Sequence, residues 1–178
     1  YEIPCEMTPV LLGALFKEIG TANVPLFTLS AAKRAYLGLD LERWAKHWQV
    51  PFQFPEHFPL RTVHALRIAL IRPELTEHLY RWAWQEGENL GDEAVLRARL
   101  SNEVGDVEAL FEAASGPENK MLLRENTGLA QALGICGVPT FAVDFEDQTF
   151  LIWGQDRLCM LEWMLQGWQP SSEEAISR

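Results

Sequence analysis

The sequence contains no C-x-x-C pair, no Cys/His group at zinc spacing and no long apolar run. The first absence disfavours a dithiol oxidoreductase within these residues, and the second a structural zinc site. A membrane-spanning helix needs roughly 18 or more apolar residues in succession, and no stretch reaches that. Positive charge is also scarce, with 15 Lys and Arg against 25 Asp and Glu, for a net charge of -10. Nucleic-acid binding requires clustered Lys and Arg, so that class of partner is excluded. Cysteine is sparse and odd in number: Cys5, Cys136 and Cys159. That usage fits a reducing, cytoplasmic setting better than a disulfide scaffold. The opening Tyr1-Glu2-Ile3-Pro4-Cys5 lacks the basic region and apolar run of a signal peptide. No Met leads it and it begins on a strand-like stretch, so a preceding segment is expected.

What is present can fill a core. Of the 178 residues 48% are hydrophobic, including seven Trp and nine Phe, and 22% are charged, which argues against global disorder. The length suits one domain, or one domain carrying a large insertion.

Residues 1–16 read as a strand running into the apolar stretch Pro9–Phe16, and Gly20 to Pro25 as a loop. Leu37, Leu41, Trp44 and Trp48 recur at helical spacing and predict a helix over 31–48. Pro51, Pro55 and Pro59 mark an extended connector. A helix is expected from Leu60 to Ile71, and Pro73 suits the first turn of the next, which runs to about Glu86. Gly91-Asp92 starts another, Asp106 caps a short one to Ala114, and Gly116-Pro117 opens a longer one with Gly134 as its C′ residue. The pattern then changes. Thr140–Phe145 and Thr149–Trp153 flank a turn and read as a hairpin. A helix begins near Gly154–Arg157, and the tail from Gln169 is polar and expected to be loose. Strand, about five helices, hairpin and helix make an α/β arrangement, a sheet split by a helical insertion.

Two motifs carry candidate chemistry. In Gly137-Val138-Pro139-Thr140, a Pro heads a strand just after a helix and a tight Gly. It is a candidate cis-Pro, the alternative being an ordinary strand-starting Pro. A cis bond would present the Val138 N–H and C=O as an edge able to pair with an extended peptide. The hairpin and helix that follow are the ending of a thioredoxin-like fold and favour the first reading. In Trp153-Gly154-Gln155-Asp156-Arg157, a strand end meets a helix start. Free N–H groups there suit a carboxylate and Asp156 an ammonium, so one site could hold the α-carboxylate and α-amine of an amino acid. Taken alone, Asp156 reads better as an N-cap.

Lys17, Asn23 and Lys33 lie on or near the first loop, where a lysine could bind an anionic substrate in this acidic chain. Taken singly, each reads as surface, as do Arg61 and Arg67. Cys136 precedes the first motif and reads better as a buried small hydrophobe than as a reactive thiol, and Cys5 and Cys159 more so. His47, His57, His64 and His78 share no ligand spacing, so no metal site is expected.

A wider set of segments occurs in order. These are Pro9–Lys17, Ala32-Lys33-Arg34-Ala35-Tyr36, Leu41-Glu42-Arg43-Trp44-Ala45, Pro51-Phe52-Gln53-Phe54-Pro55, Gly137–Phe141 and Trp153–Leu158. The chain from Pro9 to about Trp168 resembles the 2-hydroxychromene-2-carboxylate isomerase family, close to kappa-class glutathione transferases. The resemblance implies an α/β thioredoxin-like fold with an inserted all-helical domain. The thioredoxin-like part would be 1–30 with 126–168, the insertion 31–125 and the tail 169–178. It implies a homodimer that binds glutathione between the two parts. It implies cis–trans isomerisation of an aromatic pyruvate-type acid, a step in aromatic-compound breakdown that uses glutathione's thiol as nucleophile. Kappa-type glutathione transferase, DsbA-like disulfide oxidoreductase and a non-catalytic binding module are the alternatives.

By the same resemblance, Val138 and Pro139 would flank the cysteinyl part of glutathione. Trp153, Gly154, Gln155 and Asp156 would hold its γ-glutamyl end, Asn23 would lie near glutathione, and Lys17 would face the aromatic acid. The family's catalytic Ser sits in a Ser-Pro-Tyr-like turn after the first strand. That motif is absent from these residues, and Ser30 stands in a different context. The first strand and helix, with that Ser, are therefore expected ahead of Tyr1.

Overall fold

A computed structural model describes residues 4–145, 147–171, 173, 175 and 176. The first element, α1 (Leu12–Glu18), overturns part of the strand reading of residues 1–16: residues 4–11 carry no strand, and residues 1–3 lie outside the described set. The reason is packing. Leu15 is wholly buried on one face of α1, which lies against α7 (Pro117–Ala132). The Leu11 N–H, which a strand would have paired with backbone, donates instead to Thr127 Oγ1 at 3.1 Å. The Thr127 hydroxyl in turn donates to the Leu123 carbonyl at 2.7 Å. Thr127→Val keeps the shape but strands the Leu11 N–H, an expected loss of about 1–2 kcal/mol. Urea unfolding measures it, and an unchanged midpoint would mean the bond contributes nothing.

Helix α2 (Ala31–His47) is capped by Ser30, whose Oγ accepts from the Lys33 N–H at 3.3 Å. Beyond the Pro-rich connector, α3 (Val63–Ile71), a turn at Pro73–Leu75, α4 (Thr76–Trp84), α5 (Glu93–Leu100) and α6 (Val107–Ser115) follow. Asp92 caps α5 by accepting from Ala94 N–H at 2.8 Å, and Asp106 caps α6 by accepting from Ala109 N–H at 2.9 Å. Helix α7 ends as expected, with Gly134 at a φ of 77°. Ile68, Leu79, Trp82, Leu96, Leu100 and Phe111 form the main core, all from α3–α6. At its rim Arg99 donates to Glu88 and pairs with Glu86 at 2.7 Å, contacts that raise its pKa.

The chain then makes β1 (Thr140–Phe145) and β2 (Gln148–Trp153), antiparallel in the register Thr140 to Trp153 through Phe145 to Gln148. The turn expected at 146–148 is thus shorter, because Gln148 pairs with Phe145, and Glu146 lies outside the described residues. Among the described residues the sheet is this two-stranded hairpin, extended by a single bridge between Thr149 and Ile176. The tail read as loose is therefore held at one point, the Ile176 N–H donating to the Thr149 carbonyl at 2.9 Å. After a tight turn at Gln155–Arg157, α8 (Leu158–Leu165) packs Met160, Leu161 and Met164 onto Phe150 and Ile152, a second core.

Candidate functional site

The Val138–Pro139 peptide bond is cis, the reading that the hairpin and helix after it favour. Gly137 makes the approach to it. It is buried under the Trp153 indole, and a Cβ there would lie 2.7 Å from Nε1, closer than a side chain tolerates. The Thr140 hydroxyl closes the turn by donating to the Gly137 carbonyl at 2.6 Å. Val138 is 43% exposed, and among the described residues neither its N–H nor its C=O has a hydrogen-bond partner. An unpaired, exposed donor and acceptor on one residue is what an added extended strand requires.

The second motif is joined to the first directly. The Gly154 N–H donates to the Pro139 carbonyl at 2.9 Å. Gly154 has φ 95° and ψ 147°, a region essentially reserved for glycine. That backbone turns the chain from β2 into Gln155, Asp156 and Arg157. Asp156 is not an N-cap: no side chain caps this turn, and its Oδ1 lies 3.2 Å from Arg157 Nη1. Arg157 Nη1 also donates to the Trp153 carbonyl at 2.7 Å, with its guanidinium 5.7 Å from the Trp153 ring centre. Asp156 keeps its second oxygen for an ammonium, and the exposed turn around it can take a small zwitterion.

Lys17 and Gly13 are four residues apart on α1 and so share a face. The Asn23 side chain lies on that face, since a Cβ on Gly13 would come 2.9 Å from Asn23 Oδ1. Lys17 and Asn23 are both exposed. Among the described residues no hydrogen bond or ion pair links them to Val138 or to Gly154–Arg157. Lys33 sits in the first turn of α2.

The cysteine reading is corrected. Cys5, Cys136 and Cys159 are all exposed and unpaired. Cys136 lies in the turn between α7 and β1, and Cys159 faces away from the hairpin that Met160 and Leu161 cover. Of the histidines, His64 pairs with Glu93 at 3.2 Å, His78 with Glu103 at 3.1 Å, His47 packs against Trp44 and Trp48, and His57 is exposed. Among the described residues no cluster of three or more His, Cys, Asp or Glu could hold a metal. No helix there is long and apolar enough to cross a membrane. The contact missed by sequence reading is Trp48 Nε1 donating to Gln155 Oε1 at 3.2 Å, across 107 residues.

The whole chain has recognisable relatives. A family model described as a DSBA-like thioredoxin domain matches residues 3–166. Glutathione S-transferase kappa 1 of Homo sapiens is 26% identical over 194 residues, covering 99% of this chain and 84% of that protein. The 2-hydroxychromene-2-carboxylate isomerase of Sphingobium xenophagum is 33% identical over 128 residues, covering 69% of this chain and 63% of that protein. A solved 2-hydroxychromene-2-carboxylate isomerase superposes with a TM-score of 0.75 at 26% identity, over 88% of this chain and 77% of that one.

Proposed function

We propose a function on one premise: this chain belongs to the DSBA-like thioredoxin-domain family. Its relatives named above are enzymes, an isomerase and a glutathione transferase. The reading is a glutathione-dependent isomerase of the 2-hydroxychromene-2-carboxylate type, acting on an aromatic pyruvate-type acid. The observation that carries it is the Val138–Pro139 edge tied to Gly154 by the 2.9 Å hydrogen bond. The edge suits the cysteinyl backbone of glutathione, and the turn beyond suits its γ-glutamyl end, so the residues present fit the tripeptide.

Bound glutathione would supply a thiol nucleophile that adds reversibly to a conjugated double bond. The protein's own part is positioning. Val138 and Pro139 fix the cysteinyl unit, while Trp153, Gly154, Gln155 and Asp156 hold the amino-acid end. Lys17 balances negative charge on the acid as it reacts, and Asn23 lies near glutathione. The reading also divides the chain into 1–30 with 126–168 around the thiol site and 31–125 as a helical insertion. It includes a cytoplasmic homodimer, for which the exposed Tyr36, Leu37, Leu39 and Leu41 of α2 offer apolar surface.

A kappa-type transferase is the second reading, favoured by the span of the human relative over nearly the whole chain. Two measurements separate them. Calorimetry with reduced glutathione tests the site, and absence of binding at millimolar concentration sinks both readings. Absorbance of 2-hydroxychromene-2-carboxylate should change only with glutathione and enzyme together for the isomerase; loss of free thiol to an electrophile marks the transferase. Asp156→Ala should weaken glutathione about tenfold, the scale of one charge-assisted contact, with the melting temperature nearly unchanged. Unaltered affinity would remove Asp156 from the site.

A further inference from the structure

We infer that Trp48, at the end of α2, is a positioning residue that sets the hydrogen-bonding polarity of Gln155 and so completes a carboxylate subsite at the Gly154–Arg157 turn. The inference rests on the glutathione reading above and adds a residue to it from the helical part of the chain.

An indole N–H only donates, and a Gln side chain ends in one acceptor and one donor group. The 3.2 Å contact from Trp48 Nε1 therefore requires the Gln155 carbonyl oxygen to face the indole. The Gln155 amide N–H2 is left as the free end, and among the described residues it has no partner. A free N–H2 beside the Gly154 backbone is a donor for an anion. Asp156, one residue on, offers an acceptor for a cation. Donor and acceptor together match an α-amino acid head group in one orientation. With the amide reversed, two acceptors would stand side by side and repel the carboxylate.

Trp48 is flanked by aromatic rings of its own helix. Its ring stacks on Trp44 at 6.4 Å and 16°, and meets His47 edge-on at 4.9 Å. It is 47% exposed at a helix end, so packing alone does not account for its place. The backbone beyond it is tethered as well, the Gln53 N–H donating to the Trp84 carbonyl at 2.6 Å.

The test is calorimetry with two probes, reduced glutathione and cysteinylglycine, which lacks the γ-glutamyl head. Gln155→Ala should weaken glutathione about tenfold, and Trp48→Phe, which keeps a ring but loses the N–H, about three- to tenfold. Neither should change cysteinylglycine affinity. In the double variant, Trp48→Phe should add nothing to Gln155→Ala, because its effect acts through the amide. Gln155→Glu leaves Trp48 intact, offers no donor, and should weaken glutathione more than Gln155→Ala does. The inference is overturned if the two single effects multiply, if cysteinylglycine weakens equally, or if Gln155→Glu binds glutathione as wild type does. Failure of the underlying reading looks different: the unaltered protein binds no glutathione, and this inference falls with it.

Discussion

Replacing Gly154 by alanine is expected to cost about thirtyfold in glutathione affinity, the equivalent of roughly 2 kcal/mol of backbone strain. At φ 95° and ψ 147° an L side chain is out of place. The new Cβ would also land on the Asp156 carboxylate and come 3.0 Å from Arg157 Nη1. The variant escapes by rotating the turn. Rotation removes the Gly154 N–H from the Pro139 carbonyl and swings Gln155 and Asp156 away from the Val138 edge. Binding must then restore the strained geometry, so the penalty falls mainly on affinity. The melting temperature should drop by no more than roughly 8 °C, since about 2 kcal/mol corresponds to a few degrees per kcal/mol in a chain of this size. Calorimetry and a thermal melt on one preparation give both numbers. Wild-type affinity in Gly154→Ala would separate the turn from the thiol site altogether.

Features readable in the sequence are those whose cause is local. Asp92 and Asp106 reach N–H groups two and three residues on, and Gly134 takes a left-handed φ at a helix end. The cis bond at Pro139 is legible once the Gly-x-Pro is read together with the hairpin and helix that follow it. Errors arise where the deciding partner is remote. The apolar run Leu11-Leu12-Gly13-Ala14-Leu15-Phe16 fits strand or helix by pattern. Thr127, 116 residues away, takes the Leu11 N–H and helps to decide for helix. Residue type predicts burial of Cys136 and Cys159, yet Cys136 lies in the turn between α7 and β1 and Cys159 on an exposed position of α8. Asp156 is legible in the sequence only as a candidate, and its contact with Arg157 needs the geometry of the turn. Trp48 carried only a helical period; its meeting with Gln155 depends on the placement of α2 beside the hairpin's end.

Core and site also separate energetically, and Trp82→Ala exposes the difference. Trp82 is 2% exposed in α4, among Ile68, Leu79, Leu96 and Phe111, with His78 edge-on at 5.8 Å. Truncation removes the indole and leaves a cavity that the surrounding helices fill only in part. The expected loss is about 3–5 kcal/mol, or a fall of roughly 6–20 °C in melting temperature. None of the proposed glutathione contacts comes from this cluster. The folded fraction should therefore bind glutathione within about threefold of wild type. What loss there is would pass through α4, whose Trp84 carbonyl anchors Gln53 in the connector after Trp48. The pattern is the reverse of Gly154→Ala, which loses affinity and keeps most of its stability. A Trp82→Ala protein melting within 2 °C of wild type would mean that the α3–α6 core does not hold the fold. Equal losses of affinity and stability in both variants would mean that site and core unfold as one unit, which their separate side-chain clusters argue against.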